Sequence, residues 1–508
     1  MQLSLPLGTN IISDDSPKDV LSTFFEQNKK HSERKEFAQF FTHKNLVEYI
    51  IKKLNITPSS TILDPSCGAG AFLTQLQNIT SSIYGIDIEK EAVNLCKKNI
   101  NTNINNIIIK NTLKDFELKT DFPQIYKEGG FDFVIGNPPF QNLKKDIDYD
   151  SKNKIYRVVS SGVVNSATLM IAKSIELLKE HGYLAFVLPK NILRVDTFAN
   201  LRKFLLTNTT IVSITDLGHF FKDVRGDQMI MIIKKELSNA NHRIQIEILN
   251  KNSDFNSIKK YCVSQNKYNE YDIFPVFYDK GLFKIYKKFQ KHKQTLSNIC
   301  NGNIFRGISL DINKHMLKSP DTQKRQVIYR GASIERFGIK KTFYINDCSV
   351  TKEKISRLLQ NKIILQNLCS KEGGIFATLS NERELNNDTV TNVIPQCMDH
   401  RYILGILNSK IANIYIIYLT FLHSNFTMHT DKTYIGKLPI AMPNKQQEKL
   451  VIKLVDKLQL INDKYSKDFF EYYNELNDLL FDIYQFNPED RQLINSILKE
   501  GMSKKQNG

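Results

Sequence analysis

Ser60-Thr61-Ile62-Leu63-Asp64-Pro65-Ser66-Cys67-Gly68-Ala69-Gly70-Ala71-Phe72-Leu73 reads as a short strand running into a small-residue turn that opens a helix. Gly68 and Gly70 let the backbone bend sharply and approach a ligand closely, as strand-to-helix turns do at nucleotide sites. A glycine loop alone is a weak signal. It gains weight from a second apolar run, Ile83-Tyr84-Gly85-Ile86, which ends about 20 residues on at Asp87, where a carboxylate can take the two hydroxyls of a ribose. Asp64 suits the amino-acid end of such a ligand.

Working outward, residues 105–109 form a third strand ending near Asn111. The apolar run at 131–135 forms a fourth, ending at Gly136-Asn137-Pro138-Pro139-Phe140. Helical spacing at 89–99 and 165–180 separates these runs, so the fold class is α/β, a Rossmann-like, mostly parallel sheet with helices on both faces. Residues 182–189 and 211–217 add strands. Gly218-His219-Phe220-Phe221 then turns into 228–234, which closes the sheet. Ligand sites in such sheets lie at the carboxyl ends of the strands, where Asp64, Asp87, Asn111 and Asn137 all fall. Residues 144–161, polar and without helical pattern, read as a mobile loop over that site.

The βα rhythm stops near residue 250. The expected division is an N-terminal extension (1–30), a catalytic domain (31–250), a mixed α+β domain (251–445) and a C-terminal helical segment (446–508). Thr42 is the natural N-cap of a helix carrying Leu46, Ile50, Ile51 and Leu54. In the second domain, the basic stretch 283–293 admits two readings in equal measure, a solvated helix face or a nucleic-acid contact.

Composition narrows the class without deciding it. The chain of 508 residues has 41% hydrophobic and 24% charged residues, as a folded protein of two or three domains would. Lys and Arg total 70 against 53 acids, a net +17 that favours a polyanionic partner. The seven cysteines are scattered without a C-x-x-C pair, which points to reduced thiols in a cytoplasm. The most apolar late stretch, 403–422, is interrupted by Asn408, Ser409, Lys410, Asn413 and Thr420, so it reads as a buried amphipathic helix and not as a membrane span. His423 and His429 lack the acids or cysteines that would complete a metal site, and no metal is expected.

In this order the motifs resemble the gamma-class, TaqI-type DNA adenine-N6 methyltransferases, which use S-adenosyl-L-methionine. The family's opening motif appears as Phe37-Ala38-Gln39-Phe40-Phe41-Thr42-His43, with His where relatives prefer Pro. Its D-P-x-C-G-x-G-x-F loop matches Asp64 to Phe72, its acid after the second strand matches Asp87, and its N-P-P-(Y/F) matches Asn137 to Phe140. Residues 327–334, 367–378, 403–409 and 438–440 look like successive parts of the TaqI-type target-recognition domain.

The resemblance implies that Gln39, Phe40, Thr42, Asp64, Ser66, Cys67, Gly68, Phe72, Asp87, Ile88, Asn111 and Asn137 hold the cofactor. It makes Asn137, Pro138, Pro139 and Phe140 the catalytic loop. Phe140 and Phe221, with Phe220 the competing register, would stack on the target base. Arg306, Arg330 and Arg336 would contact DNA. Two departures stand out: Asn111 replaces an acid that accepts from the cofactor's adenine, and Phe140 replaces the commoner Tyr. The implied partner is double-stranded DNA, on which a monomer would act in a prokaryotic cytoplasm, alongside a restriction endonuclease encoded separately where one exists. With about 36 residues ahead of the first motif, no fused nuclease domain is expected at that end.

These residues suit the reaction. An adenine amine is a poor nucleophile because its lone pair is delocalised into the ring. The Asn137 side-chain oxygen and the Pro138 carbonyl can accept both N–H groups and expose that lone pair, so alignment does most of the work and no strong base is needed. The base must leave the duplex to be reached. Two alternatives stand beside this reading: an RNA or protein-glutamine amino-methyltransferase, and a non-catalytic DNA-binding specificity subunit.

Overall fold

A computed structural model describes residues 43–221, 226–249, 255–309, 325–346 and 355–502. Gln39, Phe40 and Thr42 lie outside the described residues. The first domain is built on a nine-stranded sheet in the order β3-β2-β1-β4-β5-β7-β6-β8-β9. Its strands are β1 (Ile62–Asp64), β2 (Ile83–Asp87), β3 (Ile107–Ile109), β4 (Phe131–Gly136), β5 (Leu178–Pro189), β6 (Thr210–Gly218), β7 (Gln228–Lys234), β8 (Arg243–Leu249) and β9 (Ser257–Ser264).

From β3 through β5 all neighbours are parallel, while β7 runs antiparallel to both β5 and β6. The chain leaves β1 toward β2 and β3, then returns to place β4 on β1's other side. Strand order therefore reverses at the β1/β4 crevice, where ligands bind in open α/β sheets.

Period-two alternation feeds two cores. Leu184, Phe186 and Leu188 of β5 pack into one, Ala185 and Val187 into the other. The helix Lys44–Lys52 covers the second face with Leu46, Val47 and Ile50. The helix Ser166–Leu177 lies on the first face and is buried almost throughout. This first core continues unbroken through Phe274, Phe277 and Leu282 into the second domain.

Four expectations need correction. The helix spans Lys44–Lys52, with His43 at the N-cap position and no side-chain cap bond from it. The sheet does not end at 250: β9 pairs antiparallel with β8, so the first domain runs past that boundary. Residues 144–161 are not a loose loop. Asp150 N–H donates to Leu113 O (3.1 Å), Tyr149 and Tyr156 are buried, and 154–159 is helical. The apolar stretch near 403–422 is a bent pair, His400–Asn408 and Lys410–Thr420, at 56°, and among the described residues no single helix is long and apolar enough to cross a membrane.

The second domain contains a four-stranded sheet (Ile304–Arg306, Val390–Val393, Lys362–Gln366, Ala377–Ser380) and a three-stranded one (Phe343–Asn346, Arg325–Tyr329, Leu385–Asn386). Three helices end the described chain: Lys445–Leu460, Lys467–Ile483 and Pro488–Met502. A Cβ on Gly405 would lie 3.1 Å from Val455 and 3.2 Å from Val451, so a bare backbone lets the helix Lys445–Leu460 approach His400–Asn408. The basic helix Leu282–Gln290 buries Leu282, Ile285 and Phe289. Its Lys284 and Lys288 pair with Asp490 and its Lys287 with Glu270, which favours the structural reading of that stretch.

Candidate functional site

At the carboxyl ends of β1, β2 and β4 lies a cavity of about 210 Å³. Asp64, Ser66, Cys67, Gly68, Phe72, Asp87, Ile88, Asn111, Asn137 and Pro139 line it together. The turn after β1 is shaped from within: Asp64 Oδ1 accepts from Ser66 N–H (3.1 Å), and Thr112 Oγ donates to Pro65 O (2.6 Å). Gly68 (φ +51°) and Gly70 (φ +90°) are left-handed, and a Cβ on Gly70 would sit 2.7 Å from Cys96 Sγ. The hydrogen bond with Cys96, followed by burial, holds the Cys67 thiol well above its ordinary value, so it is not a ready nucleophile.

Two carboxylates face this cavity from adjacent strands. Asp87 accepts from Gly68 N–H (2.8 Å) and Glu89 N–H (2.9 Å), tying β2's tip to the glycine turn. Burial raises its pKa despite those donors. Asp64 is fully buried, and desolvation, with the Asp87 charge adding, pushes it up to about 8. Ile88, 61% exposed, gives the cavity an apolar lip beside Asp87.

Asn111 is committed on both sides of its amide. Its Oδ1 accepts from Leu113 N–H (2.9 Å) and its Nδ2 donates to Asp148 O (2.9 Å). It therefore anchors the 144–161 segment to the cavity. Asp148 also lines the space, as does Gln141.

The loop after β4 is held by a residue that motif reading missed. Ser166 Oγ donates to Pro139 O and accepts from Gln141 N–H (3.0 Å), while Ser166 N–H donates to Gln141 O (2.9 Å). Asn165 caps the helix by accepting from Ala167 N–H (3.0 Å), which fixes Ser166 at the first turn. Pro138 is buried, and Phe140 is partly buried against the first core.

At the tip of β6, the aromatic turn is clamped by the buried Gln228, whose Oε1 accepts from Phe220 N–H (2.9 Å) and Phe221 N–H (3.2 Å). Phe221 is only 5% exposed. It stacks on His43 (centroids 6.5 Å, 14°) and meets Phe220 edge-on (5.1 Å, 85°). In this conformation it is a core ring, and Phe220 is the more exposed of the pair.

The three arginines part company. Arg306, 44% exposed, sets its Nη2 3.1 Å from His429 Nδ1 and 3.8 Å from Asp431. Arg330 lies 5.5 Å over Phe343. The Arg336 guanidinium lies over Tyr473 (4.7 Å) of the C-terminal helices and over Phe376 (5.4 Å).

A mostly parallel sheet carrying an antiparallel β7, with a cavity at its switch point, is followed by a second, mixed domain. Residues 81–221 match the Eco57I restriction-modification methylase family, and residues 326–440 match the TaqI-like C-terminal specificity domain. A protein of Methanocaldococcus jannaschii, provisionally named the type II restriction enzyme and methyltransferase RM.MjaORFECS2P, is 25% identical over 76% of this chain and 34% of its own length. Modification methylase CviBIII of Paramecium bursaria Chlorella virus NC1A is 29% identical over 42% of this chain and 54% of its own. The chain thus spans from about a third to about half the length of these curated relatives. Among solved structures, the Type IIL restriction-modification enzyme MmeI in complex with DNA superposes over 96% of this chain and 78% of its own, with a TM-score of 0.60 at 12% identity. That likeness is one of fold.

Proposed function

We propose that this chain is a site-specific DNA methyltransferase that uses S-adenosyl-L-methionine to methylate the N6 amino group of an adenine flipped out of duplex DNA. One observation carries the reading: the glycine turn, the acid at the tip of β2 and Asn137 line a single cavity at the sheet's switch point.

The cavity's chemistry fits the cofactor. Ser66 Oγ is buried on its lining without a hydrogen-bond partner, an orphan that a polar ligand would satisfy. Asp87 would take the ribose hydroxyls, Ile88 the adenine face, and Asp64 the methionine ammonium. When bound, S-adenosyl-L-methionine supplies an electrophilic methyl group on a sulfonium.

The chain's own part is positioning. Asn137 Oδ1 and the Pro138 carbonyl would accept hydrogen bonds from the two N–H groups of the target amine, freeing its lone pair to form the new C–N bond as the methyl's bond to sulfur breaks and its electron pair stays on sulfur, and the amine's surplus proton leaves to solvent. Ser166 keeps the next carbonyl, that of Pro139, turned away from this task. Phe140 stacks on the flipped base, and Phe221 serves as the second face after the turn opens from its present packing. Arg306 and Arg330 supply contacts in the specificity domain, with phosphate neutralisation giving affinity and base edges giving sequence choice.

Transfer of tritiated methyl from S-adenosyl-L-methionine to duplex DNA tests the reading, with Asn137→Ala as the control for chemistry at this loop. Sequencing of the methylated product assigns base and site. Methylation of RNA or protein but not duplex DNA would overturn it, and N4-methylcytosine in the product would move the target base.

A further inference from the structure

A buried charged cluster joins the two domains at the base of the aromatic turn. Asp216, near the end of β6, is paired with Lys190, which follows β5, and with His423 of the second domain, whose Nε2 lies 2.8 Å from Asp216 Oδ2. All three side chains are at most 5% exposed. Lys190 Nζ also donates to Leu422 O (2.6 Å), so one ammonium holds both a first-domain carboxylate and a second-domain carbonyl. Charges so deeply buried persist only when paired and hydrogen-bonded. Burial and the neighbouring Lys190 hold His423 down to about 4, leaving a neutral ring whose Nε2–H donates to Asp216.

The same second-domain loop grips the other leg of the turn. Asn425 N–H donates to Asp227 Oδ2 (2.9 Å) and its Nδ2 to Asp227 Oδ1 (3.3 Å), just ahead of β7. Gly218, where the turn begins, is left-handed (φ +61°), and a Cβ there would lie 2.9 Å from Asn425 Nδ2. Phe426 meets His219 edge-on at 4.6 Å. Leu422 and His423 both adopt φ +52°, a region non-glycine residues avoid unless their surroundings over-determine it. Residues 422–426 therefore seize Asp216 and Asp227, the two legs flanking Gly218 to Phe221.

We infer that His423 and Asn425 are positioning residues through which the specificity domain sets the aromatic turn for capture of the flipped base. The inference rests on the DNA-methyltransferase reading. A loop that merely glued two domains together could bind anywhere on the first domain. This one binds both legs of the turn that carries the stacking rings.

The test uses the full chain, on duplex DNA bearing the methylation site identified by sequencing. Asn425→Ala and Gly218→Ala each alter the grip outside the buried cluster, and His423→Gln probes the cluster itself. Methyl transfer, cofactor affinity and the fluorescence rise of 2-aminopurine at the target position are measured for each. The expected result is a weaker fluorescence rise and a kcat lowered by about 10- to 100-fold with cofactor affinity unchanged, since small misplacements cost that much. The defect should shrink on duplexes in which the target base is mismatched, because extrusion then costs less. Wild-type kcat and fluorescence in Asn425→Ala and Gly218→Ala would overturn the inference. So would an equal loss on matched and mismatched duplexes. Failure of the unaltered protein to methylate DNA would instead defeat the underlying reading.

Discussion

Gly136 and Asp64 share a space that admits no side chain: a Cβ on Gly136 would lie 2.7 Å from Asp64 Oδ1. The end of β4 is thus shaped around the carboxylate at the end of β1. Gly136→Ala should push that carboxylate out of register, costing about 1–3 kcal/mol of stability as overpacking does. Affinity for S-adenosyl-L-methionine should fall more than stability does. Thermal unfolding and calorimetric titration of the same variant separate the two effects.

Asp64 should also make cofactor binding proton-linked. Burial pushes its carboxyl up to about 8, so below that pH the ligand-free site is largely protonated. Pairing with the methionine ammonium requires the carboxylate, so binding releases a proton near neutrality. Affinity should rise by about tenfold per unit as pH climbs toward 8 and fall again above it, where the ligand's own α-amino group loses its proton. Titration in two buffers of different ionisation enthalpy at pH 7 and pH 9 checks this. Equal proton release at both would contradict it.

Asn137→Ala should lower kcat by about 100- to 1,000-fold, the usual loss for one preorganised polar group at a reacting centre, and leave cofactor affinity within twofold. Phe140→Ala should instead weaken capture of the base by about 1–3 kcal/mol. Single-turnover rates and 2-aminopurine fluorescence distinguish the two.

Ser166→Ala removes both side-chain bonds to the loop after β4, Pro139 O on one side and Gln141 N–H on the other. At about 1 kcal/mol per bond the protein should stay folded while kcat drops severalfold. Ser166→Thr should restore most of the rate if the hydroxyl alone matters.

Arg306→Ala should weaken DNA binding and flatten its salt dependence by about one charge. Arg336→Ala should leave that slope unchanged and lower the melting temperature, because its guanidinium packs on Tyr473. Filter binding across a salt series, read beside a melting curve, tests the contrast.

Much of the first domain could be read locally. β2 and β4 end on Asp87 and Gly136, where their apolar runs stop, and β7 spans the run read as 228–234. What escaped was long-range. Ser166 acts on a loop some 25 residues earlier, and Lys190 touches a histidine 233 residues away. No local pattern encodes such contacts. The boundary at 250 misled for a physical reason. β9 is an edge strand, largely solvent-facing, and its Lys- and Tyr-rich composition imitates the end of a domain. Phe221 was legible as an aromatic in the turn after β6, but not its packing against His43.

The cluster of Lys190, Asp216 and His423 bears on how new specificities could be grafted here. A recognition module transplanted from a relative would bring its own loop onto Asp216 and Lys190. Unless that loop offered a matching donor and carbonyl, it would strand buried charge at about 3–5 kcal/mol. A successful chimera should therefore take its crossover so that 422–426 stays with the sheet, or carry both sides of the contact together.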